Sequence, residues 1–233
     1  MSWIFEKILY QPLLNALVGF YNLFGGRDFG LAVIALTIIV RVILSPLLHA
    51  NLRQQKVMSG MQAELRRVQG KYKDDKTKQL AAVQELYKQN KINPFSSFLL
   101  LLVQLPILLA LYRVLLDGLN GGAGDGLYSF IAAPTHINYS FLGLVDLKAP
   151  SLWLIFAAGL AQYWQAKVAS TVSPMAKNSA ATATLLLMPL ITVVFLWKIP
   201  SAIALYWTVS TIISIIQQTR IKLPKDEKIK GRN

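Results

Sequence analysis

Cysteine is absent from all 233 residues, and histidine occurs only as His49 and His136. The first absence excludes disulfides, thiol nucleophiles, thiolate zinc sites and iron–sulfur ligation. The two histidines lie far apart and are expected in different compartments, so no metal site and no cofactor is expected. Charge is also scarce, at 15% of residues against 54% hydrophobic ones. That balance excludes an ordinary soluble domain and points to a polytopic membrane protein with one membrane domain. No G-x-x-x-x-G-K-[ST] nucleotide motif is present, and no G-x-S-x-G or H-E-x-x-H occurs, which speaks against an intramembrane protease.

What the chain has is apolar length. Five runs qualify as spans: 29–48, 95–116, 151–168, 182–197 and 203–220. The fold class expected is therefore all-α: a polytopic membrane protein with a five-transmembrane-helix core. No Asp or Glu lies inside these runs. The fourth is ~24 Å long as a helix, shorter than the ~30 Å hydrocarbon core, and is expected to thin the bilayer locally. Pro106 in the second run and Pro189 in the fourth are expected kink positions, because proline removes a backbone donor and crowds the preceding turn.

The net charge of +13 could suggest nucleic acid, but its distribution follows membrane topology. Between the first two runs, residues 49–94 carry Arg53, Lys56, Arg66, Arg67, Lys71, Lys73, Lys76, Lys78, Lys88 and Lys91 against four acids. The tail 221–233 adds Lys222, Lys225, Lys228, Lys230 and Arg232, whereas the connection 117–150 has one Lys and three Asp. Basic loops stay in the cytoplasm, so the N-terminus is expected outside and the C-terminus inside. Residues 1–28 mix Glu6, Lys7, Gln11, Pro12 and Asn15 with aromatics and leucines, and are expected to form an amphipathic helix on the outer surface. They do not have the pattern of a secretory signal.

Segment 49–94 shows heptad-like apolar spacing at Met58, Met61, Leu65, Val68 and Tyr72, then Leu80, Val83 and Tyr87 after the polar break 73–76. It reads as a cytoplasmic helical hairpin with a small core. Asn93-Pro94 is expected to end its second helix. The glycine-rich connection 117–150 is expected to be an irregular external loop, with a short interfacial piece near Tyr139 to Leu147. Arg113 and Asp117, four apart, are expected to pair within one helix.

One charge breaks the apolar pattern. Arg41 lies in the first run, ~10 Å from its end and therefore at membrane depth. An arginine there costs from ~2.5–3.5 to ~10–17 kcal/mol on different scales unless water, a counter-ion or a cavity offsets it. The bland alternative is a side chain that reaches the nearer headgroups. Thr37 shares its helix face. Gln104 lies near the middle of the second run, and Ser210, Ser214 and Gln217 form a stripe on the last helix, with Trp207 three residues before it. Polar residues at this depth face the bundle interior or a wet cavity. Helix–helix adhesion would account for the hydroxyls and amides at ~0.6–2 kcal/mol each. It does not account for a cation with no acid in any span. A wet recess around Arg41 would carry positive potential, and its natural visitor is an acidic group from another molecule.

The segments Thr37-Ile-Ile-Val-Arg41 with Ser45-Pro46-Leu47, Asn93-Pro94, Gln104-Leu-Pro-Ile-Leu-Leu-Ala-Leu-Tyr112, Phe195-Leu-Trp-Lys-Ile-Pro-Ser-Ala-Ile-Ala-Leu-Tyr-Trp207 and Ile216-Gln-Gln218 resemble the YidC/Oxa/Alb family of membrane protein insertases. They occur in collinear order over about residues 8–222. The resemblance implies a five-helix membrane core, a cytoplasmic hairpin after the first span and a surface helix before it. It implies that Arg41 is the groove arginine, in a hydrophilic cavity open to cytoplasm and lipid, with Thr37, Gln104 and Trp207 lining the groove or touching substrate. Compared with the long Gram-negative form, the extra N-terminal span and large periplasmic domain are expected to be lacking, as is the lipobox cysteine of some short forms. A short bacterial form in the plasma membrane is expected. Its partners would be nascent membrane proteins and the lipid bilayer, with the ribosome, reached through the basic tail and hairpin, and a Sec-type channel as further candidates, and no DNA. The competing function is a small anion channel or transporter in which Arg41 binds the anion.

Overall fold

The structure is a computed structural model and describes residues 3–25, 28–90, 92–93, 96–120, 126–172 and 179–220. The basic tail 221–233, like Lys91 and Pro94, lies outside the described residues. Among the described residues the molecule is all-α apart from one short hairpin of strands.

A π-helical segment, Phe5–Tyr10, leads directly into α1, Gln11–Leu23. Pro12 stands in the first turn of α1 and has no N–H to offer the preceding turn, which is wound as a π-helix. Next comes α2, Phe29–Gly60, a single helix of 32 residues with Pro46 inside it. It continues twelve residues past the end of the first apolar run. The sequence after Leu48 is rich in Gln, Leu, Ala and Arg, which favour the helix, and holds no breaker before Gly60. The fold therefore joins the first run rigidly to the first arm of the basic segment.

The second part of that segment is a hairpin of α3, Gln62–Lys71, and α4, Lys76–Gln89. Asp75 caps α4 by accepting from the Lys78 N–H at 3.0 Å, and Gln79 donates across to the Gln69 carbonyl at 2.8 Å. That N–H bond, chiefly, and then the Lys78 ammonium hold the Asp75 carboxyl below the usual carboxylate range. Met61, Leu65, Leu86 and Ile92 form a small core separate from the main one. Leu80, expected on the inner face, is exposed, because α4 meets α3 through Val83, Leu86 and Tyr87 instead.

Three further long helices follow the hairpin, α5 (Ser96–Leu119), α6 (Leu152–Val172) and α7 (Ser179–Leu196), and the last is α8 (Ser201–Arg220). Helices α5 and α7 run through Pro106 and Pro189 without interruption. The stretches 29–54 and 102–119 are each long and apolar enough to cross a membrane. Outward faces carry exposed Ile39, Val42 and Ile43 on α2, Leu109 on α5, Phe156 and Leu160 on α6, and Leu190 and Val194 on α7. In water that surface would be an aggregation hazard; in a bilayer it is solvated by lipid tails.

The main core lies at the end of the bundle that carries α1. Leu14, Leu17 and Tyr21 of α1 pack with Phe29 and Val33 of α2, Leu111 and Leu115 of α5, Ile155 of α6 and Ala202 to Tyr206 of α8. The described part of the connection before α6 contains regular structure. Strands β1, Ser140–Phe141, and β2, Val145–Asp146, pair antiparallel with Ser140 opposite Asp146. Leu142 at φ 52° and Gly143 at φ 70° make the turn between them. This hairpin closes the N-terminal ends of two helices. Asp28 accepts from Leu31 N–H at 3.0 Å and from Leu142 N–H at 2.7 Å, capping α2 and tying the strands to it. Ser201 Oγ donates to the Ala149 carbonyl at 2.6 Å, and Ala202 N–H to the Leu147 carbonyl at 3.1 Å, tying the strands to α8. Gly30 is required here: a Cβ at that position would stand 2.3 Å from the Phe141 ring.

Helix α1 is held down by polar side chains. Asn15 donates to the Gly126 carbonyl at 2.9 Å and accepts from Tyr128 N–H at 2.6 Å. Arg113 does not pair with Asp117 alone. It lies 3.5 Å from Asp117 and 2.8 Å from Glu6, with its guanidinium over the Tyr10 ring. Tyr10 Oη donates to Asp117 at 2.5 Å. Burial and this carboxylate push the Tyr10 phenol well above its usual range.

Candidate functional site

At the opposite end of the bundle, between α2, α5, α6 and α8, the helices separate around a cavity of about 400 Å³. Arg41 lies at its wall, partly buried. Its Nε donates to Ser210 Oγ at 2.7 Å, and Nη2 donates to the same oxygen. Ser210 is buried on α8, and Ser214, one turn on, donates to the Ser210 carbonyl at 3.0 Å. Register explains the contact: residues four apart on α8 share the face turned to α2, where Arg41 projects. A hydroxyl orients the guanidinium but does not cancel its charge. Among the described residues, no carboxylate forms an ion pair with Arg41.

Of the residues expected around Arg41, the cavity wall contains Gln104 from α5 and Trp207, Ser210, Ser214 and Gln217 from α8. Thr37 is not among them. It is 1% exposed, one turn deeper in the core, and its hydroxyl donates to the Val33 carbonyl at 2.6 Å. Sharing a helix face with Arg41 was not enough, because the cavity ends at the level of the arginine and the closed core begins there.

Sequence reasoning missed the contribution of α6. Gln162 and Gln165 line the cavity, and Trp207 Nε1 donates to Gln162 Oε1 at 3.4 Å. The signal was present as two amides three apart in an apolar run. Asn51, from the unexpected extension of α2, and Gln218 complete the polar wall. The wall therefore contains one fixed cation, several carboxamides and four hydroxyls, with no acid among its residues.

An apolar recess of about 480 Å³ adjoins this cavity and shares Leu108, Gln162, Tyr206 and Trp207 with it. Its other side is formed by Leu109 and Tyr112 of α5 and Met188, Ile191 and Phe195 of α7. Phe195 packs on Trp207 with ring centres 6.2 Å apart. Close approach of α6 and α7 depends on Gly159, where a Cβ would stand 2.7 Å from Val193. A chamber with a polar wall and an apolar slot thus meet along Leu108, Gln162, Tyr206 and Trp207.

A sequence profile described as 60Kd inner membrane protein matches residues 19–228. The chain is 29% identical to the membrane protein insertase YidC of Geobacter sulfurreducens, over 94% of this chain and 37% of that protein. It is 31% identical to the YidC of Pelobacter propionicus, over 97% of this chain and 40% of that one. For the YidC of Rickettsia bellii the identity is 28%, over 96% and 40%. The chain thus spans about two fifths of the length of these curated relatives. The crystal structure of an active YidC insertase with its first transmembrane domain resolved superposes with a TM-score of 0.62 at 26% identity, covering 95% of this chain and 48% of that one. With a profile match across most of its length, and relatives and a solved structure that agree, this chain belongs to the 60Kd inner membrane protein family, that of the YidC insertases.

Proposed function

We propose that this protein is a membrane protein insertase, which takes hydrophobic segments from the cytoplasm into the bilayer through the positively charged cavity around Arg41, without nucleotide hydrolysis and without enzymatic chemistry. In this reading α2, α5, α6, α7 and α8 cross a bacterial plasma membrane. The α1 end faces outside, and the α3–α4 hairpin and C-terminus face the cytoplasm, as the basic residues require. One observation carries the proposal: a guanidinium with no acidic partner among the described residues, steadied by a neutral hydroxyl, at the wall of a polar cavity beside an apolar slot.

The arrangement suits a two-part cargo. A short acidic tail enters the polar cavity, where Arg41, Gln104, Trp207, Ser210, Ser214 and Gln217 receive it and shorten the apolar barrier. The apolar segment lies along the recess between α5 and α7 and leaves sideways into lipid. The cargo supplies the driving force, since burying apolar groups yields ~0.8 kcal/mol per CH₂ and a span has ~20 apolar residues. Nascent membrane proteins are the substrates. The basic α3–α4 hairpin and tail suit a ribosome, whose RNA attracts lysine and arginine, and a Sec-type channel is a second candidate partner.

The test is reconstitution of the purified chain in liposomes. A single-span substrate should acquire a protease-protected tail faster than in protein-free liposomes, with no accompanying chloride flux. Anion flux without tail protection would favour the channel reading.

A further inference from the structure

The polar wall of the cavity is dominated by amides rather than charges. Gln104 from α5, Gln165 from α6, and Gln217 and Gln218 from α8 face it from three helices. None of these four makes a hydrogen bond with the described residues, and Gln218 Oε1 is fully shielded as well. Each carboxamide offers an acceptor and two donors. Amides elsewhere in the protein are used: Asn15 makes three bonds and Asn22 holds the Ala132 carbonyl. Gln54, outside the cavity, also has a shielded oxygen with no partner, but the cavity gathers four unused amides in one lining.

A peptide unit has the same chemistry as these side chains, one N–H and one C=O. An extended segment carried into a membrane must find partners for both, whatever its side chains, because hydrocarbon offers none. Four unengaged amides on three walls can take N–H and C=O together, and their neutrality rejects neither acidic nor basic cargo. Arg41 cannot do this, since a guanidinium only donates. We infer that the glutamine lining binds the backbone of the passing segment and makes the cavity tolerant of its sequence, while Arg41 adds a preference for acid. This inference rests on the insertase reading and names the part of the cargo that the cavity holds.

The experiment uses synthetic single-span substrates with uncharged tails of equal length, one of polyglycine and one of polysarcosine, whose N-methyl group replaces each backbone N–H. A fluorophore at the tail end reports translocation by its protection from an aqueous quencher in proteoliposomes of the full chain. The wild-type protein should move the glycine tail about three- to tenfold faster, the effect of one or a few net hydrogen bonds. In Gln165→Leu/Gln218→Leu the ratio should fall toward one. A wild-type ratio of one overturns the inference, even if the variant fails to fold. A ratio that persists in the folded variant also overturns it, since a lining that merely holds water would leave it unchanged. If the glycine tail crosses no faster than in protein-free vesicles, the insertase reading itself fails.

Discussion

Arg41 and Ser210 are 169 residues apart in the chain, and the Arg41 Nε donates to the Ser210 Oγ at 2.7 Å. The guanidinium is thereby aimed but not neutralised. Arg41→Ala should impair insertion of substrates with acidic tails about tenfold or more, as expected for loss of a charge-assisted contact. Arg41→Lys should largely preserve it if a diffuse positive field is what matters. Ser210→Ala should cost less, about twofold to fivefold, because the charge remains while its orientation is lost. Insertion rates in proteoliposomes for acidic and neutral tails check all three. Equal loss in the Ala and Lys variants would point to bidentate recognition instead.

The contact of Gly30 with the β-hairpin should limit stability. Gly30→Ala places a methyl 2.3 Å from Phe141, and overpacking of this kind costs ~1–3 kcal/mol. A thermal melt in detergent should show the loss. Gly30→Ala/Phe141→Ala should recover part of it by vacating the space, and a double variant as unstable as the sum of the two singles would locate the strain elsewhere.

Alkaline pH should loosen α1. The folded-state pKa of Tyr10 is raised by burial and by its bond to Asp117. Its contribution is therefore fully present below the unfolded phenol's value of about 10, and is lost as the pH rises above that value. Amide exchange in α1 should speed up as the pH rises above about 10 in the wild type, beyond the intrinsic effect of base. In Tyr10→Phe the region should be less protected at neutral pH, with a flatter dependence. Parallel curves for the two proteins would exclude this linkage.

Removal of the tail from Lys222 onward should weaken co-sedimentation with ribosomes and flatten its dependence on salt, because each lost phosphate contact removes a released counterion. Unchanged binding across a salt series would reduce the tail to a determinant of topology.

That the chain is built of long apolar helices was legible because apolar length is a local property. Gln104, Trp207 and the Ser210, Ser214, Gln217 stripe could be assigned to the cavity because helical spacing and the cost of polarity at membrane depth constrain where they point. Thr37 lies outside the cavity wall because helix phase says which way a residue faces and nothing about how deep the cavity reaches. Asn51 was missed because α2 continues beyond its apolar run, and no local signal ends it where hydrophobicity does. Gln162 and Gln165 were overlooked for a different reason: two amides in an apolar run are also what ordinary helix–helix adhesion looks like.

Composition and periodicity by themselves determined that this is a helical membrane protein with a buried arginine lacking any acid in its own spans, since hydrophobic length and charge are summed along the chain. Only the tertiary structure decided that Ser210 orients that arginine, that α6 supplies part of the wall, that the cavity stops short of Thr37, and that an apolar slot opens beside Trp207. Those features depend on the depth at which helices separate, which is set by packing between residues far apart in sequence, such as Gly30 against Phe141 and Gly159 against Val193. No single helix encodes the space between it and its neighbours.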